Sequence, residues 1–175
     1  KAGPIILIAI GLSIGFKAGI WNIGAEGQYI LGAIFGATVA LSVYPQESVF
    51  IFPAMILAGA LGGFIWALIP ALLKVYFKTN EILVSLMLVY VAENILASVS
   101  QGLLRNPEGM GLPGSRNLKD YPSAHNSELI VNSGMHWGVL TGFLAVILAY
   151  FLFLKHQKGY ELSLIHISEP TRHRR

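Results

Sequence analysis

From Val49 to Phe77 the only charged residue is Lys74. A run of this length and apolarity is long enough to cross a bilayer as a helix with some tilt. Helices satisfy every backbone N–H and C=O internally, which the hydrocarbon core demands. Four further apolar segments flank it: Pro4–Phe16, Gln28–Tyr44, Glu81–Leu104 and Trp137–Leu154. Composition supports a membrane setting, since 54% of the residues are hydrophobic and only 12% charged, against about 25% charged in soluble domains. Membrane β-barrels need alternating strands of about ten residues, and these runs are continuous. The expected fold is all-α: a polytopic transmembrane helical bundle of about five membrane segments, one of them broken or re-entrant.

The broken segment is expected at Phe16–Gln28, FKAGIWNIGAEGQ. Pro4–Phe16 falls short of the roughly 20 residues a span needs, so it either lacks its start or continues through Ile20–Ile23. Asn22, Glu26 and Gln28 interrupt the apolar context, beside Gly15, Gly19, Gly24 and Gly27. Amides and a carboxylate at membrane depth default to a functional reading, and glycines permit a helix break or close backbone contact. Gly32 and Gly36 form one GxxxG face and Gly59 and Gly63 another, both suited to helix packing.

Local punctuation places the connections. Pro45–Ser48 is a turn, and Thr79 is the expected N-cap of the Glu81–Leu104 helix, with Glu81 favoured by the dipole in its first turn. Arg105–Gly134 is long for a membrane connection, which predicts a folded cap or short surface helix. Trp137 is an interfacial aromatic at the start of the last span. Lys74 and Lys78 share a short loop, and Lys155 and Lys158 fall on the same side after an even number of crossings. The positive-inside rule makes that side cytoplasmic and puts Pro45–Ser48 and Arg105–Gly134 outside.

Several classes of chemistry find no residues. The chain has no cysteine, so thiol catalysis and Cys-ligated metal are out. His125, His136, His156, His166 and His173 lack metal-ligand spacing with a partner. Gly109–Gly114, GMGLPG, lacks the Lys-Ser/Thr of a phosphate loop. No catalytic residue, metal site or cofactor is expected. The net charge of +3 includes three arginines and one glutamate in residues 162–175; without them, nine basic residues face eight acidic ones. That balance leaves no basic patch for nucleic acid.

The substrate-path candidates are Asn22, Glu26, Gln28, Asn80, Glu81 and Glu93. Glu26 either lines a polar path, or pins a helix break through backbone N–H groups, or pairs with Lys17 as an interfacial acid. Asn22 and Gln28 can donate and accept hydrogen bonds, which suits sugar hydroxyls, a nucleobase edge or a neighbouring helix. Asn80 and Glu81 fit a central site or a helix cap. Glu93, beside Asn94 and mid-helix, either faces a cavity or a partner along the path or has a structural role in the outer leaflet. Ser85 is expected to bond its own helix.

Two stretches carry a family resemblance. GFKAGIWNIGAEGQYILGA (Gly15–Ala33) and LLKVYFKTNEILVSLMLVYVAENIL (Leu72–Leu96) resemble permease subunits of bacterial ABC importers for nucleosides and simple sugars, which work with BMP-type lipoproteins and belong to the branched-chain amino acid/ribose-type permease superfamily. Gly159-Tyr160-Glu161 is similar to the start of that family's segment after a span. Val89 stands where the family usually has Asn, and Trp21 replaces the common Phe. The resemblance implies a bacterial cytoplasmic-membrane subunit forming the translocation path. Its implied partners are a second permease subunit in a heterodimer, a cytoplasmic ATPase pair that hydrolyses ATP, an extracytoplasmic binding lipoprotein and the lipid bilayer. An ion-coupled carrier using Glu26 or Glu93, or a non-transport membrane subunit, is the alternative.

Leu162–Arg172, LSLIHISEPTR, resembles the translation of an adaptor used in DNA sequencing libraries. Residues 1–161 are accordingly expected to be a partial permease domain, cut at both ends, and 162–175 a foreign tail. The segment that would couple to the ATPase is expected to be missing.

Overall fold

The computed structural model describes residues 2–110, 112, 114–130 and 133–155. Lys158, Gly159–Glu161 and the adaptor-like tail lie outside the described residues. The chain divides into two compact units, one drawn from Lys1–Asn22 and Asn126–Arg175, the other from Ile23–His125.

In the first unit, α1 (Ala2–Lys17) packs against α5 (Trp137–Lys155). The approach is close because both helices offer glycine: a Cβ on Gly3 would lie 3.0 Å from the Gly138 carbonyl oxygen. Helix α1 stops where Gly19 takes a positive φ of 73°. The Gly19 N–H then bonds the Phe16 carbonyl at 3.1 Å and the Ile20 N–H the Gly15 carbonyl at 2.9 Å. That pair of bonds is a Schellman stop, which satisfies two carbonyls the helix end leaves open. A short antiparallel hairpin, β1 (Glu128–Ile130) with β2 (Met135–His136), precedes α5 and sets Glu128 opposite His136. This hairpin is an addition to the all-α expectation for the loop.

The second unit holds α2 (Ala25–Val43), α3 (Ile51–Phe77) and α4 (Glu81–Gln101). All three are long and apolar enough to cross a membrane. Helix α1, with 16 residues, is shorter and also apolar, and α5 is apolar over Trp137–Phe151. Helix α2 begins three residues earlier than its hydropathy suggests, because the break occupies only residues 18–24 and Glu26 and Gln28 lie within helix. Helix α4 ends at Gln101, ahead of Leu104, where Gly102 turns the chain and its N–H bonds Ser98.

Helices α2 and α3 run antiparallel along their glycines. A Cβ on Gly32 would sit 2.9 Å from the Gly59 carbonyl oxygen, and one on Gly59 3.1 Å from that of Gly32. Gly36 meets the Met55 carbonyl and Gly63 the Gln28 carbonyl, each at 3.2 Å from a built Cβ. Lipid tails are as apolar as leucine, so close van der Waals packing rather than hydrophobic burial holds such helices together. The outward faces agree: Leu57, Leu61, Phe64 and Val75 are exposed, and only 11% of the residues in the apolar window of α3 are buried. Inside α3, the buried Pro70 has no N–H to give the Trp66 carbonyl.

Between α4 and the unit's end, the loop forms two single 3-10 turns, Leu118–Asp120 and Pro122–Ala124. Tyr121 between them is 3% exposed and packs with Ala40, Ile51 and Ala124. Its hydroxyl donates to the Gln46 carbonyl, and the Ser48 N–H donates to Ser123 Oγ at 3.1 Å. The loop is therefore tied down on the α2–α3 turn.

Candidate functional site

The first turn of α2 and the first turn of α4 meet at one end of the three-helix unit. Ser85, 2% exposed, makes the junction. Its Oγ donates to the Ile82 carbonyl at 3.1 Å, the bond to its own helix, and accepts the Ile23 N–H at 3.2 Å. The second bond is the one local sequence could not show. A Cβ on Gly24 would lie 2.8 Å from the Ser85 carbonyl oxygen, so only glycine lets the connection enter α2 there. One turn on, the buried Gly27 sits against α4, where its Cβ would be 3.2 Å from Val89 Cα and 3.3 Å from the Leu88 carbonyl oxygen. Helices α2 and α4 thus run parallel, with their N-termini side by side.

Parallel N-termini put two positive dipole ends together. The sequence answers each with a carboxylate in the first turn, Glu26 on α2 and Glu81 on α4. Each such placement is worth about 0.3–1 kcal/mol. Glu81 is also ion-paired with Lys74 at the end of α3, while Glu26 is exposed. Gln28 is half-buried and lends its carbonyl to the contact with Gly63.

Asn80, and not Thr79, caps α4. Its Oδ1 accepts the N–H groups of Ile82 at 3.0 Å and Leu83 at 3.5 Å. The reason is positional: Asn80 is the last residue with extended dihedrals, φ −75° and ψ 110°, before the helix, which is the N-cap geometry. The Thr79 hydroxyl is left buried without a hydrogen-bond partner. Lys78 precedes it in the left-handed region at φ 53°, with its N–H on the Lys74 carbonyl at 3.0 Å.

Glu26, Gln28, Asn80 and Glu81 are therefore gathered at one end of the unit. Glu93 is not among them. It lies twelve residues beyond Glu81 on α4, about 18 Å along the axis, and it is exposed. Its neighbour Asn94 is also exposed and donates to its own helix at the Tyr90 carbonyl, 2.7 Å. Asn22 belongs to the other unit, where it is half-buried. Val89 is 7% exposed and faces Gly27, so that position contributes packing rather than a polar contact. Among the described residues no cluster of three metal-binding side chains occurs.

Trp66 joins this junction although no motif in the sequence marks it. Its Nε1 is buried without a hydrogen-bond partner, 3.1 Å from a Cβ built on Gly27. The available signal was its place in the middle of α3, since membrane tryptophans concentrate at the interfaces.

A family model described as "Branched-chain amino acid transport system / permease component" matches residues 1–170. A glucose ABC transporter permease protein of Haloferax volcanii is 33% identical over 173 residues, covering 94% of this chain and 45% of the relative. A guanosine ABC transporter permease protein of Bacillus subtilis is 27% identical over 172 residues, covering 93% and 46%. A nucleoside ABC transporter permease protein of Lactococcus lactis is 26% identical over 169 residues, covering 93% and 46%. The chain spans about half the length of these curated relatives. No solved structure matches it significantly.

Proposed function

Because this chain, a multi-pass helical membrane protein, belongs to the family of branched-chain amino acid transport system permease components, we propose that it forms part of the translocation path of an ATP-driven importer for nucleosides or simple sugars. The substrate class follows the names of its relatives, which are permeases for glucose, guanosine and nucleosides. ATP hydrolysis falls to a separate cytoplasmic ATPase pair. An extracytoplasmic lipoprotein delivers substrate, and a second permease subunit completes the path. The setting is the bacterial cytoplasmic membrane, with Lys74 and Lys78 inside by the positive-inside rule.

One observation carries this reading: two parallel helix starts, joined through Gly24 and Ser85, bring Glu26, Gln28, Asn80 and Glu81 to one end of a membrane bundle. On the proposed orientation that end is cytoplasmic. Polar groups there give a hydroxylated solute hydrogen-bond partners as it leaves the path, and the buried Trp66 N–H adds a donor deeper in. Alternating access needs helices that shift as units, and α2 and α4 are coupled at this junction. Asn22 and Glu93 remain candidates for path-lining residues on other parts of the chain.

The test is uptake by the whole transporter, with its ATPase and binding protein, in proteoliposomes. Glu26→Gln is expected to lower ATP-driven uptake of a labelled nucleoside or sugar by about tenfold or more, the scale of one lost charge-assisted hydrogen bond. Uptake at the unsubstituted rate would remove the carboxylate from the path.

A further inference from the structure

At the opposite end of the same bundle, we propose a binding site for the headgroup of an anionic phospholipid. The ends of α2 and α4, with the chain beyond each, line an open cavity of about 260 Å³. Its lining combines Leu41, Leu103 and Leu104 with Tyr44, Arg105 and Arg116. The site is independent of any transport activity.

The geometry of the cationic wall is built rather than incidental. The Arg116 guanidinium lies 4.3 Å from the centroid of the Tyr44 ring and pairs with Glu108 at 3.2 and 3.4 Å. Its side chain is only 23% exposed. Stacking and pairing together hold a planar donor group in one orientation, which suits a phosphate oxygen. Arg105 is exposed, and among the described residues it has no ion-pair partner. Its backbone is fixed by a bridge to Ser115 and by its N–H on the Gly102 carbonyl at 3.2 Å. Glu108 offsets one of the two guanidinium charges, so the pocket keeps a surplus of one positive charge.

Position selects the ligand. The cavity sits where two membrane-spanning helices stop, and Leu103 in its lining is 91% exposed. A free anion would use the arginines and leave the leucines idle. A phospholipid uses both: phosphate against Arg105 and Arg116, acyl chains along the lipid-facing leucines. Two arginines and a tyrosine at a span end are the residues that anchor at a bilayer surface.

The experiment titrates the purified protein in detergent with phosphatidylglycerol or phosphatidylcholine of identical acyl chains and counts retained lipids by native mass spectrometry. Phosphatidylglycerol is expected to be retained about fivefold more strongly, the contribution of one basic residue at a membrane surface. Arg105→Gln should bring the ratio to about one, Arg105→Lys should keep most of it, and circular dichroism should report unchanged helix content in both. If Arg105→Gln loses its fold, a salt titration of the unsubstituted protein takes its place, and the preference must fall as ionic strength rises. Equal retention of the two lipids would overturn the proposal, and so would a preference that survives Arg105→Gln in a folded protein or is unmoved by salt. Millimolar inorganic phosphate that displaced phosphatidylglycerol and bound equally well without it would identify a free-anion site and also overturn it. A surface reserved for an acidic protein partner gives no lipid preference, which is the same negative result.

Discussion

Ser85 Oγ accepts the amide proton of Ile23 at 3.2 Å, joining residues 62 apart in sequence. The acceptor belongs to a residue that is 2% exposed, so water does not compete for it. Ile23 lies in the connection that leads into α2. Ser85→Ala removes that acceptor and is expected to cost about 0.5–1.5 kcal/mol, since the half-exposed Ile23 can turn its N–H to solvent. Unfolding of the purified protein in mixed detergent micelles would measure it, and a cost within error of zero would mean another acceptor takes over.

Glycine substitutions separate contact from mere flexibility. Gly32→Ala presses a methyl to 2.9 Å from a backbone oxygen of α3 that cannot swing away, and should destabilise by about 1–3 kcal/mol. Gly11→Ala meets nothing within 4 Å and should gain about 0.5–1 kcal/mol from helix propensity. The two variants compared in one thermal-unfolding series should move in opposite directions.

The cap of α4 offers a neighbouring pair with contrasting outcomes. Asn80→Ala removes the acceptor of two N–H groups and should cost about 0.5–2 kcal/mol. Thr79→Val removes a hydroxyl that is buried without a partner and should be neutral or stabilising, since its desolvation is relieved. Helix content and melting temperature would report both. A larger loss at Thr79 than at Asn80 would reassign the cap.

Tyr121 ties the loop after α4 to the turn before α3. Tyr121→Phe keeps the buried ring and removes the bond to the Gln46 carbonyl, for an expected loss of about 0.5–1.5 kcal/mol. Local opening should rise with it, so limited proteolysis would cut within residues 102–125 faster while the helices stay protected.

Lys74 and Glu81 form an ion pair whose lysine side chain is 38% exposed. Exposed pairs contribute about 0–1 kcal/mol, so Lys74→Gln should change stability little. Its effect on uptake by the whole transporter would then report on the site and not on the fold.

Much of this molecule is legible without coordinates. Membrane spans follow from hydropathy because lipid forces each backbone polar group to bond within its own helix, a constraint that acts locally. The stop after α1 is written in Gly19, since few other residues accept its φ of 73° cheaply. A cap before Glu81 is also expected from sequence, though its assignment to Asn80 over Thr79 turned on one residue's dihedrals. Tertiary structure alone decided which surfaces meet. The spacing of Gly32, Gly36, Gly59 and Gly63 marks them as packing residues, but only the antiparallel register of α2 and α3 sets Gly32 on Gly59. The second bond of Ser85, the orphaned Trp66 N–H and the docking of Tyr121 depend on partners far along the chain. Local patterns encode an element's length, ends and faces; a contact between elements exists only once their backbones have approached, and no single stretch of residues holds that information.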